Sequence, residues 1–167
     1  SRSCLNWMQA GRAAGNWSPR VEVIHSLDAQ RVVEAIDGIY EQPDQEHLIL
    51  IDTFGGGSEA QDLLAVAAHR IVAPMMLSRG DLSETVETAN WYVNLRNRVE
   101  NPEALAGFSV TLSRVSLRVS ETERGVAEEL FRTLPACDAF LSTRSAYVRM
   151  DKEGLLGVMA DTMTNRA

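Results

Sequence analysis

Asp52 closes an apolar run, Leu48-Ile49-Leu50-Ile51, and is followed by Thr53, Phe54, three successive glycines (Gly55 to Gly57) and Ser58. A carboxylate at the end of a buried strand can hold Mg²⁺ directly or through water. Glycines between a strand and a helix can instead let backbone N–H groups wrap a phosphate. Composition excludes that second chemistry. A phosphate loop of the form G-x-x-x-x-G-K-[ST] needs a lysine, and the chain's one lysine, Lys152, stands in Met150-Asp151-Lys152-Glu153 with no glycine run before it. Glu59, directly after Ser58, would also repel phosphate. Two readings of Asp52 remain: a metal-facing carboxylate, or the start of an Asx turn that leads into a glycine loop.

Other reactive residue types form no constellation. Asp52, Ser58 and His69 are the types of a hydrolase triad, but Gly-Gly-Gly-Ser-Glu-Ala lacks the glycine two after the serine that a nucleophile elbow requires. Ser58 reads as a helix cap. His25, His47 and His69 are scattered over three segments with no i,i+4 pair, so they predict no metal site. Cys4 and Cys137 lie far apart and have neither metal nor redox spacing, which points to a reduced, cytoplasmic protein. Glu84, Glu87, Glu128 and Glu129 read as solvated helix faces.

These residues must be positioned by a chain of 167 residues, 45% of them apolar, which is enough for one ordinary core. A single domain over 1–167 is expected. The net charge of −7 argues against a surface that binds nucleic acid over its whole area, while leaving room for a local basic patch. No apolar run approaches the roughly 18 residues of a membrane span, and no charged-then-apolar leader opens the chain.

Helices and strands alternate along it. CLNWMQAGRAA predicts a helix that stops at Gly15-Asn16, and RVEVIHS alternates as a strand. A helix follows, capped by Ser26 or Asp28 and closed by Pro43. HLILIDT has the continuous apolar pattern of a strand buried on both faces of a parallel sheet. Ser58 caps the next helix, and RIVAPMM is a strand whose Pro74 argues against a regular central ladder. Asp81 with Glu84 makes a capping-box-like start for a long helix, whose buried side is expected to take in Val86, Ala89, Val93 and Trp91. FSVTLSRV is a strand, Ser120 with Glu123 opens a helix that ends at Pro135, AFLST is a short last strand, and SAYVRMDKEGLL is a helix turning at Gly154. The tail ADTMTNRA is weakly patterned. The sum is an α/β fold with a mostly parallel sheet and flanking helices, in which ligands bind beyond the carboxyl ends of the strands.

LILIDTFGGGSEAQDLL, RIVAPMMLSRGDLSET, FSVTLSRVSLRVSETERGVAEELFRTLP and STRSAYVRMDKEG, in that order, resemble the ParA/MinD family of P-loop ATPases, nearest to the ParA-like ATPases of T-DNA transfer systems. The resemblance makes Asp52-Thr53 the end of a Walker B strand, with Asp52 on the Mg²⁺ side. It matches Pro74 and Asp81 to the family's strand-to-helix passage, Arg144 with Tyr147 and Gly154 to its C-terminal pattern, and Ser3 with Trp7 to the stretch after its second strand. Ser113 stands where many relatives carry an asparagine near the adenine. The implied cofactors are ATP and Mg²⁺. The implied partners are a second copy of the chain in a homodimer or higher oligomer, DNA, and a DNA-binding or relaxase-type protein. Arg114, Arg118 and Arg124 are the expected DNA-facing patch. On the bland account they pair with glutamates, and Arg96 and Arg98 complement a helix dipole.

The departures from the family are as informative. Its P-loop, first helix and first two strands would precede Ser1, and its final helix would follow Ala167. The fold expected here is therefore an incomplete P-loop NTPase fold, with unpaired edges at the Asp52 strand and a neighbour. A chain without an initiator methionine fits a fragment that binds no ATP tightly alone. Two functions follow: part of a ParA-type ATPase in DNA partition or DNA transfer, or a noncatalytic scaffold of the same fold that has lost its P-loop.

Overall fold

The structure, a computed structural model, describes residues 2–42, 44, 46–53 and 57–164. In chain order its elements are α1 (Ser3–Ala13), α2 (Ala29–Tyr40), α3 (Glu59–Ala67), β1 (Arg70–Met75), α4 (Arg79–Arg98), β2 (Gly107–Val115), α5 (Glu121–Thr133), β3 (Ala136–Ser142), α6 (Ser145–Glu153) and α7 (Leu156–Thr164). They divide into two compact units. One runs from Ser26 to Ser142, and the other joins residues 1–25 to residues 143–167.

In the larger unit β1, β2 and β3 form a parallel sheet in that order. The α/β class and the parallel pairing agree with the sequence. On β2, Phe108, Val110 and Leu112 alternate into the core, where they meet Met75 of β1, Leu82 of α4, and Val126 and Leu130 of α5. Val110 and Leu130 are completely buried, each contributing about 1.5–3 kcal/mol relative to exposure. Pro74 is accommodated because β1 is an edge strand, paired on one side with β2 and facing Thr111.

Local capping sets the helix starts. Asp28, not Ser26, caps α2 by accepting from the Gln30 amide, and Ser58 caps α3. Ser120 and Glu123 form a complete capping box at α5. At α4 the expected start is corrected. Ser78 is the cap and Asp81 is the third helical residue, because Ser78 Oγ accepts from the Asp81 amide and donates to its carboxylate at 2.9 Å. That offset goes with a different buried face: Leu82, Thr85 and Leu95 are inside, whereas Val86 and Val93 are exposed. Ala89 and Trp91 are half-buried, as expected of that side. Pro43, expected to close α2, lies outside the described residues.

Two expected strands are absent. Residues 21–26 and 46–53 form no strand, and Leu48 and Leu50 are 87% and 85% exposed. A strand exists only where a neighbour completes its ladder, and neither run has one among the described residues.

In the smaller unit α1 meets the corner between α6 and α7. Trp7 Nε1 donates to the Met150 carbonyl at 2.8 Å, the Leu155 amide donates to the Asn16 carbonyl, and the Trp7 and Trp17 rings meet edge to face. Gly154 turns the corner with φ +114°, and a Cβ on Gly11 would fall 2.9 Å from its Cα. Glycine at both positions lets the two backbones touch. The tail read as weakly patterned contributes to α7, which runs to Thr164.

Candidate functional site

Because the three strands are parallel, their carboxyl ends lie on one edge of the sheet, and the passages to α4 and α5 leave from it. The passage after β1 is tightly held. Asp81 Oδ2 accepts from the Met76 amide at 2.9 Å while its Oδ1 accepts from the Ser78 hydroxyl, so one carboxylate ties the capped start of α4 to the end of β1. Ser113, near the end of β2, donates to the Met75 carbonyl at 3.4 Å. Its hydroxyl joins two strand ends.

Arg114 has φ +54° and sits where the β2–β3 register shifts between Leu112 and Val115. The irregularity changes which side chains reach the core. Strict alternation after Phe108, Val110 and Leu112 would drive the Arg114 guanidinium inward, whereas the bulge leaves Arg114 exposed and buries Val115. Arg118 and Arg124 follow on the loop and in the first turn of α5, both exposed. Neither has a carboxylate within ion-pair reach among the described residues. Glu121 and Glu123 share this stretch, and Glu123 is turned back on the cap. Its carboxyl is held below the ordinary range, first by the Ser120 amide and then by the Ser120 hydroxyl.

The arginines at the end of α4 differ in kind. Arg96 pairs with Glu103 and Arg98 with Asp62, both at 2.8 Å, as the dipole-and-pairing account requires. A groove of about 480 Å³, lined partly by Val66, Arg98, Val99 and Leu105, opens at that end of α4 and involves none of the predicted site residues.

Asp52 and Thr53 are exposed at the end of the apolar run, which forms no strand among the described residues. Phe54, Gly55 and Gly56 lie outside the described residues, and so does that part of the predicted glycine turn. Among the described residues no three His, Cys, Asp or Glu side chains gather to hold a metal. A Mg²⁺ at Asp52 would therefore draw most of its ligands from water or phosphate, as Mg²⁺ commonly does. Asp52 is the one carboxylate the sequence offers for such a site, and no lysine-bearing loop for the phosphates lies in the chain.

The VirC1 protein family model matches residues 1–167. The chain belongs to the VirC1 family. Protein virC1 of Rhizobium radiobacter is 26% identical over 160 residues, and Protein virC1 of Rhizobium rhizogenes is 21% identical over the same length. Each alignment covers 93% of this chain and 65% of the relative, so the chain spans a little under two thirds of the length of these virC1 proteins. No solved structure matches it significantly. VirC1 membership bears out the kinship expected from the ordered segments. Two pieces of that pattern have structural roles here: Asp81 stitches β1 to α4, and Trp7 and Gly154 build the corner of the smaller unit. What the sequence did not reveal is the set around Asp62, which accepts from Trp91 Nε1 and from Arg98. Partners separated by 29 and 36 positions leave no periodic signal.

Among the described residues no helix is long and apolar enough to cross a membrane.

Proposed function

We propose that this VirC1-family chain is the metal-facing and DNA-facing part of a ParA-type ATPase acting in T-DNA transfer. One observation carries the reading: the family match runs through the whole chain, including Asp52 and the β2–α5 passage. Bound ATP with Mg²⁺ would supply the phosphoryl chemistry and the signal that joins two copies. The roles left to this chain are local. Asp52 accepts from metal-bound water or ligates the ion, and Thr53 offers a hydroxyl beside it. Ser113 lies at the edge where the adenine is expected, although its hydroxyl is already engaged with Met75.

Arg114, Arg118 and Arg124 form the DNA contact. Three arginines against Glu121 and Glu123 leave this passage net positive in a chain of net charge −7, which suits a local phosphate contact. The bulge supports the reading because it spends backbone strain to keep Arg114 in solvent.

The test titrates Mg·ATP and a labelled DNA duplex against the full gene product and against residues 1–167. The full product is expected to bind and hydrolyse ATP, and residues 1–167 alone are expected not to bind it tightly. Asp52→Asn should lower kcat by about 100-fold or more, the scale of a lost electrostatic partner in a transition state. Reversing the three arginines to glutamate should weaken DNA binding and flatten its salt dependence together. Tight ATP binding by residues 1–167, or wild-type hydrolysis by Asp52→Asn, refutes the enzyme reading. DNA binding without any nucleotide dependence favours the noncatalytic scaffold.

A further inference from the structure

We infer that Trp91 is a positioning residue for Asp52, latched by Asp62 and Arg98 so that Gly57 is held against α4. The inference rests on the role proposed for Asp52. Its first support is at Gly57. A Cβ there would lie 2.6 Å from Trp91 Cδ1 and 3.2 Å from its Nε1, so the Gly57 backbone lies directly on the indole. The last glycine of the run is thus a packing requirement, independent of any phosphate.

The indole is itself fixed. Trp91 Nε1 donates to Asp62 Oδ1 at 2.8 Å, and Arg98 Nη2 donates to Asp62 Oδ2 at 2.8 Å. Both carboxylate oxygens are used, and the Asp62 side chain is only 20% exposed. Asp62 stands on the first turn of α3, whose cap, Ser58, directly follows Gly57. Two anchors therefore converge on the same point: the α3 cap through the chain, and Trp91 through packing.

Gly57 is five residues after Asp52, a separation that cannot exceed about 18 Å of extended chain. Anchoring Gly57 limits where Asp52 can stand. Through that tether the latch bears on where Asp52 stands without touching substrate.

The test uses the full gene product and two readouts. Amide exchange at residues 62–65, measured without nucleotide, should rise about tenfold in Gly57→Ala, and by a similar factor in Trp91→Ala. In the double variant Gly57→Ala should add little, because the ring it strikes is gone. Asp62→Asn, which keeps an oxygen for the indole, should loosen the segment less than Asp62→Ala. In steady-state hydrolysis Trp91→Phe should lower kcat several-fold with little change in KM for ATP, since the phosphate-binding groups lie elsewhere.

An equal effect of Gly57→Ala with and without Trp91 overturns the latch. Intact coupling with unchanged kcat in Trp91→Phe overturns its positioning role. A wild-type product that binds no ATP sinks the reading of Asp52 instead. That failure is distinguishable, because the exchange coupling is read without nucleotide.

Discussion

Val110 and Leu50 come from sequence runs that look alike, FSVTL and LILID, yet Val110 is fully buried and Leu50 is 85% exposed. The difference lies in their neighbours. β2 has a parallel partner on each side and two helices on its core face, whereas residues 46–53 have no ladder among the described residues. An apolar run states a demand for burial, and only the rest of the fold can meet it. Hydrophobicity alone would have placed both in one sheet.

The strongest way to break this comparison is to cut into the buried side. Leu130→Ala removes a fully buried side chain between α5 and β2 and is expected to cost about 2–5 kcal/mol, the upper part applying if the site cannot collapse. Urea unfolding monitored by circular dichroism measures it. A loss under about 1 kcal/mol would mean that the core is loosely packed, and the contrast with Leu50 would fail.

A smaller effect is expected at the α5 cap. Ser120→Ala deletes the hydroxyl that accepts from the Glu123 amide and donates to the Glu123 carboxylate. The expected cost is about 1 kcal/mol, from the same unfolding measurement.

The cap also predicts a pH dependence. The Glu123 carboxyl is held below its ordinary 4.5, so its contribution to stability is complete above that value and is lost as pH falls through the depressed one. An NMR titration should find Glu123 below 4.5 in the wild type and closer to it in Ser120→Ala. The reverse order would remove the capping box as the cause.

Features decided within one turn of chain were readable in the sequence. Ser58, Asp28 and the Ser120–Glu123 box were legible because a cap is a contact between near neighbours. The buried face of α4 was misplaced because Asp81 looks like a cap, and only the structure shows Ser78 in that position with Asp81 bonded back to Met76. At the candidate site the residue types of Asp52 and the three arginines could be read, but not the bulge that exposes Arg114. The Gly57–Trp91–Asp62–Arg98 set was illegible for the same reason: its contacts join distant positions.

The smallest expected effect is the sharpest test of the comparison. Leu50→Ser in residues 1–167 replaces a side chain that already lies in water, so its unfolding free energy should change by no more than about 0.5 kcal/mol. A larger loss would mean that residues 46–53 pack somewhere in solution and that Leu50 resembles Val110 after all. The same substitution in the full gene product asks a different question. If residues outside these 167 pair with the run and cover it, Leu50 becomes a core position there, and its loss should cost about 1.5–3 kcal/mol. The difference between the two measurements is the burial that the Asp52 run would acquire from residues outside these 167. It also bears on how Asp52 is presented to a metal, since residues 46–53 form no strand among the described residues.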